Sequence, residues 1–72
     1  MNIIIWSKDN CQFCDMAKKL LTSRGLSYEE RKLGDGWTKE QLLEVVPNAR
    51  AVPQILIDGA LIGGYSELRA AI

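Results

Sequence analysis

The sequence predicts a single mixed α/β domain over residues 1–72, a four-stranded mixed sheet flanked by helices in the order β-α-β-α-β-β-α. Three stretches carry that expectation. Asn2-Ile3-Ile4-Ile5-Trp6 is apolar without alternation and rich in β-branched side chains, the mark of a strand covered on both faces and so central in its sheet. After a polar turn, Phe13, Met16, Ala17, Leu20 and Leu21 recur with helical spacing and form one apolar stripe. Further on, Asp58-Gly59 separates Gln54–Ile57 from Ala60–Ile62, a strong two-residue hairpin signal.

The remaining elements follow in chain order. Ser7-Lys8-Asp9-Asn10 is turn-forming, and the first helix starts at Cys11. Gly25 is its natural stop, with Arg24 at the negative end. Leu26 to Leu33 reads as a second strand, whose charges Glu29-Glu30-Arg31-Lys32 suit an exposed edge. Thr38 with Gln41 is a capping-box pattern, and Trp37 is placed to staple the helix start against Leu42. Leu42-Leu43 and Val45-Val46 give this helix an apolar side, and Pro47-Asn48 end it. Tyr65 to Ile72 reads as a last helix, with Ser66 as its cap and Leu68 and Ile72 buried. A helix joins the first two strands, so they are expected to be parallel with a right-handed crossover.

Composition narrows the function. Hydrophobic residues make up 47%, which suits a packed core, though so short a chain gives only a marginal one. Nine basic and nine acidic side chains cancel, and no basic run supports a nucleic-acid partner. The longest purely apolar run, Ile3–Trp6, is far too short to span a bilayer. No signal-peptide pattern is seen, so a cytoplasmic location is expected.

The chemistry concentrates in Cys11-Gln12-Phe13-Cys14. These are the only two cysteines, and the chain has no histidine. The usual general base and the usual metal ligand are both missing. A zinc site needs four ligands, so one chain cannot complete it from cysteine and histidine, and no metal is expected. A structural disulfide is disfavoured in a reducing compartment. Cys11 at a helix start, with Lys8 on the same loop, has two devices to stabilise its thiolate. Cys14, one turn on, is expected to be more buried. That division suits Cys11 as the attacking thiol and Cys14 as the one that releases the product. A C-x-x-C near a strand–helix–strand pattern is itself a thioredoxin-like redox signature.

The whole chain resembles a glutaredoxin, a member of the thioredoxin-fold superfamily. The resemblance rests on Lys8, Cys11-Gln12-Phe13-Cys14, Val52-Pro53-Gln54-Ile55 and Ile62-Gly63-Gly64-Tyr65-Ser66-Glu67-Leu68 at their joint spacing. It implies a thioredoxin-like fold and a glutathione-dependent thiol–disulfide oxidoreductase. Cys11 is similar to the family's nucleophile and Cys14 to its resolving thiol. Val52-Pro53 resembles the segment whose cis-proline backbone pairs with substrate like an added strand. Gly63-Gly64 resembles the turn that approaches glutathione, with backbone N–H groups for its γ-glutamyl carboxylate. Tyr65 and Ser66 match residues at that γ-glutamyl end, Lys8 and Arg50 the cations for the glycyl carboxylate, and Phe13, inside the motif, is a further glutathione-binding position. The sequence departs from the family pattern at Gln12 for proline, Phe13 for tyrosine, Ala51 for threonine and Ser66 for aspartate. The resemblance further implies a monomer acting on disulfide-containing protein substrates. Compact members include ones that reduce ribonucleotide reductase. Two alternatives stay open: an electron carrier served by thioredoxin reductase, and an iron–sulfur cluster carrier in which two copies share a cluster through Cys11 and two glutathiones.

Overall fold

A computed structural model describes residues 1–72. The elements are β1 (Ile3–Ser7), α1 (Gln12–Ser23), β2 (Glu29–Lys32), α2 (Lys39–Val45), β3 (Gln54–Ile57), β4 (Ala60–Gly63) and α3 (Tyr65–Ala71). This is the mixed four-stranded sheet with three helices that the sequence predicts. The strand order is β2-β1-β3-β4. β1 runs parallel to β2 and antiparallel to β3, and β3 and β4 form an antiparallel hairpin.

The unbroken apolar run of β1 now has its reason. Successive side chains of a strand point to opposite faces, and here both faces are covered. Ile3 and Ile5 join Ala17, Leu21, Ile55 and Leu68 in one core, on the side of α1 and α3. Trp6 joins Leu42, Val46 and Leu56 in a second core, on the side of α2. Full burial of such a side chain contributes about 1.5–3 kcal/mol, so these few residues dominate the favourable side of folding. No helix is long and apolar enough to cross a membrane.

Local signals set the ends of the elements. Gly25 takes φ +69° after α1, and Leu26 N–H donates to Leu21 O at 3.0 Å while Gly25 N–H donates to Thr22 O. This is a Schellman ending. It also corrects the expected second strand. Leu26 is spent on closing the helix, so β2 covers only Glu29–Lys32 rather than Leu26–Leu33. At α2, Thr38 Oγ1 accepts from Gln41 N–H, and Gln41 Oε1 accepts from Thr38 N–H. Trp37 packs on the core that contains Leu42, where a staple would put it. Asp58 and Gly59, at φ +51° and +83°, both adopt the left-handed conformation that a tight hairpin turn requires.

The start of α3 differs from expectation. Gly64 is the N-cap, and Ser66 lies inside the first turn. Glu67 Oε1 reaches back to accept the Gly64 N–H at 2.8 Å, the carboxylate half of a capping box. Gly64 has no side chain with which to return the bond, and the glutamate alone sets the helix start.

On the α2 side, Trp6 and Trp37 meet edge to face with ring centroids 5.3 Å apart. The Arg31 guanidinium lies 4.4 Å from the Trp37 ring centroid and 5.2 Å from that of Trp6. Arg31 is therefore more than an edge-protecting charge: its head covers two indoles. The Trp6 indole N–H is buried with no partner in the protein.

Candidate active site

The central strand delivers the two cysteines. β1 leaves the sheet at Ser7, and the exposed Lys8-Asp9-Asn10 loop turns the chain with Asn10 at φ +54°. Cys11 is extended and serves as the N-cap of α1, rather than its first helical residue. Cys14 lies one turn inside and is fully buried, whereas Cys11 keeps 8% of its surface. The two sulfurs form a disulfide, with the Cα atoms 5.2 Å apart. Cys14 N–H donates to Cys11 Sγ at 3.2 Å. Once the disulfide is opened, that bond and the positive end of the 12-residue helix both favour an anion on Cys11. Cys14, inside the turn and without surface, has neither advantage. The asymmetry expected from position is thus built into the backbone.

The Val52–Pro53 peptide bond is cis, and Pro53 is buried. The Val52 carbonyl oxygen lies 3.7 Å from Cys11 Sγ, which brings this segment to the redox pair. A groove of about 340 Å³ runs on from it, lined by Phe13, Val52, Pro53, Gly64, Tyr65 and Ser66, all of them positions that the family resemblance marks. Phe13 is 56% exposed, and its ring centroid is 6.1 Å from that of Tyr65. Glu67 also lines this groove, and its carboxylate occupies the Gly64 N–H. That N–H is not free for the γ-glutamyl carboxylate that the resemblance would bring to it. A Cβ on Gly63 would sit 2.9 Å from Glu67 Cγ, so the turn is glycine for space as well as for its φ of +124°. Lys8 and Arg50 lie elsewhere. They line a second, smaller groove of about 180 Å³ that shares Ala51 and Val52 with the first.

A family model for glutaredoxin matches residues 3–62. The chain belongs to the glutaredoxin family. Glutaredoxin 3 of Escherichia coli K12 is 36% identical over 69 residues, which cover 96% of this chain and 83% of that protein. The hybrid peroxiredoxin hyPrx5 of Haemophilus influenzae is 42% identical over 67 residues, or 93% of this chain but only 27% of that longer protein. Among solved structures, a buckwheat glutaredoxin–glutathione complex superposes with a TM-score of 0.82 at 28% identity, over 94% of this chain and 64% of that one. Glutaredoxin 1 of Francisella tularensis, complexed with cacodylate, gives 0.82 at 25% identity over 96% and 88%. This glutaredoxin is accordingly a thiol–disulfide oxidoreductase, and Cys11–Cys14 is its redox-active disulfide.

Three features of this glutaredoxin escape a reading of the sequence. Glu67 carries a usable signal, a carboxylate three residues after a glycine at a helix start, but Ser66 carries the stronger capping side chain and masks it. Lys39 lines the second groove beside Lys8 and Arg50, and only the fold brings α2 there. The third is a polar network behind the redox helix. Ser7, the one buried polar residue, donates its hydroxyl to Glu30 Oε2 at 2.6 Å, and Lys18 Nζ donates to the same oxygen at 2.9 Å. Lys18 also approaches Asp15 at 3.6 Å, and Lys32 pairs with Asp9 in the redox loop at 2.7 Å. The Ser7 hydroxyl, then Lys18, hold the Glu30 carboxyl below its ordinary value. Glu30 in turn raises Lys18, and Asp9 raises Lys32. β2 thereby ties the end of β1, the loop and α1 together around the cysteines.

Proposed function

We propose that this chain reduces protein disulfides and glutathione mixed disulfides with glutathione as the reductant. Cys11 is the nucleophile. Its thiolate attacks a substrate sulfur, forming a mixed disulfide while the other substrate sulfur leaves with the electron pair. Cys14 then attacks Cys11 Sγ, frees the reduced substrate and leaves the Cys11–Cys14 disulfide. Two glutathione thiols return the pair to the dithiol and emerge as glutathione disulfide. For a mixed disulfide with glutathione, Cys11 suffices: it takes the glutathionyl group, and a second glutathione removes it.

The observation that carries this reading is the placement of Cys11 Sγ between the Cys14 N–H and the Val52 carbonyl, with Val52 itself lining the first groove. A cysteinyl substrate laid along Val52-Pro53 would reach the sulfur by pairing with this backbone as an added strand does. Phe13 and Tyr65 would wall the γ-glutamyl side, and Gly64 and Ser66 would line it. Lys8 and Arg50 would meet the glycyl carboxylate. The buckwheat glutaredoxin binds glutathione on the same fold, which supports the assignment. We take the protein to act in the cytoplasm as a monomer, with ribonucleotide reductase among its candidate substrates. The test is turnover of a mixed disulfide with glutathione plus glutathione reductase, beside turnover with thioredoxin reductase. Activity with the second system alone would remove the glutathione site. Cys11→Ser should abolish turnover in either system. Cys14→Ser should keep deglutathionylation and lose reduction of protein disulfides; the opposite pattern would reverse the two roles.

A further inference from the structure

Beyond Lys8 and Arg50, the second groove offers a leucine floor and a third cation, Lys39, that the proposed glutathione site does not use. Its floor is apolar, with Leu33 from the end of the β2 segment and Leu42 and Leu43 from α2. Three cations, Lys8, Lys39 and Arg50, line it, and no acidic residue does. None of the three forms a salt bridge, although the chain as a whole is neutral. At about 180 Å³ it is smaller than the roughly 300–1,000 Å³ usual for small-molecule pockets, and its size suits protein side chains. It shares Ala51 and Val52 with the groove beside Cys11, so a chain lying along Val52 enters it directly. Glutathione ends in glycine at this point, which has no side chain for the leucine floor.

From this juxtaposition the geometry points to a docking site for protein substrates: an acidic, apolar segment just C-terminal to the target cysteine. A large aliphatic side chain after that cysteine covers Leu33, Leu42 and Leu43, and the next residue's carboxylate meets the free cations. The direction of the segment rests on the proposed glutathione site, in which the C-terminal side of the substrate faces Lys8 and Arg50. Charge complementarity makes the selection. An acidic segment gains from three unpaired cations, and a basic one is repelled by them. The glutathione reaction and the protein reaction would then share one sulfur and one added strand, and differ in the residues C-terminal to the cysteine.

The test uses the full chain carrying Cys14→Ser, so that the adduct on Cys11 accumulates. Three short peptides are compared, each with one cysteine activated as its 2-thiopyridyl disulfide and followed by Leu-Glu, Gly-Gly or Leu-Lys. Cys11 attacks the peptide sulfur, the Cys11–peptide disulfide forms, and the thiopyridine leaves with the electron pair and is read by absorbance. At low salt the Leu-Glu peptide should react about five-fold faster than Leu-Lys, the scale of exchanging exposed attractive for repulsive pairs, with Gly-Gly between. Raising the salt should narrow that gap. Lys39→Glu leaves Lys8 and Arg50 in the groove and should shrink the preference for Leu-Glu over Leu-Lys toward parity, and Leu43→Ser should bring Leu-Glu toward Gly-Gly. Equal rates for the three peptides, or a Leu-Glu over Leu-Lys ratio untouched by Lys39→Glu, would overturn the inference. Glutathione turnover by the unaltered chain is measured alongside. If it is present without peptide selectivity, only this inference fails. If selectivity stands without glutathione turnover, the glutathione reading fails instead.

Discussion

Removing the Ser7 hydroxyl tests whether β2 supports the redox helix. In Ser7→Ala the change is confined to one oxygen at a fully buried position, and the methyl group left behind fits the space. The lost bond is charge-assisted, at 2.6 Å from Glu30 Oε2. Hydrogen bonds to charged groups contribute about 1.5–3 kcal/mol to stability. Glu30 would keep Lys18, and its side chain is 32% exposed, so water replaces part of what is lost. A net cost of about 1–2 kcal/mol follows. In a chain of this length each kcal/mol moves the midpoint by roughly 4–8 °C, so the drop should be plain in thermal unfolding followed by circular dichroism. The pH dependence carries the sharper prediction. Glu30 titrates below its ordinary value in the folded protein, and the Ser7 hydroxyl is the main cause. A depressed carboxyl contributes stability that is fully present above its unfolded value of about 4.3 and is lost as pH falls through the folded value. The gap between the parent and Ser7→Ala should therefore be largest near neutrality and shrink on acidification through that window. A gap that stays constant or widens toward low pH would refute the charge-assisted bond as its source.

Alkylation against pH should show Cys11 reacting well ahead of Cys14 in the reduced protein, because only Cys11 holds the Cys14 N–H and the helix start; equal rates at neutral pH would contradict the geometry. Ser66→Asp places a carboxylate in the first groove, and glutathione should saturate the protein more readily by no more than roughly 1 kcal/mol, read as a lower KM. Thr38→Ala removes the hydroxyl half of the α2 capping box and should cost about 1 kcal/mol in denaturant unfolding, with turnover little changed. Gly59→Ala forces a side chain into the left-handed region at the hairpin turn, at a cost of roughly 1–2 kcal/mol in the same measurement.

Much of this molecule is legible in the sequence because its signals are local. The apolar run of β1, the helical stripe from Phe13 to Leu21, the Thr38–Gln41 box and Asp58-Gly59 each state a conformation within a few residues. The cysteine pair is legible for the same reason. Features that depend on contacts between distant parts of the chain, or on competition for one group, are not. The second strand is shorter than its residues suggest because Leu26, a fair strand residue, is captured by the carbonyl of Leu21. Ser66 has the better capping side chain, but Glu67 reaches the Gly64 N–H and fixes the start of α3 two residues earlier. Arg31 and Glu30 read as edge-strand charges, and only the parallel pairing of β1 with β2 brings one over Trp6 and the other to Ser7. Lys39 has no sequence signal at all, since its partners in the second groove come from the redox loop and from the segment before Pro53.

The pairing of Trp6 with Trp37 has an optical consequence. These are the only tryptophans in the chain, and both belong to the core on the α2 side. Selectively excited tryptophan fluorescence thus reports on that side and not on the opposite layer, where Ile3, Leu21 and Leu68 pack and both tyrosines lie. Far-ultraviolet ellipticity, by contrast, is weighted toward α1, the longest helix, which belongs to that opposite layer. The two spectroscopic signals therefore watch the two halves of one small interior separately, and their melting curves coincide only if both halves let go together.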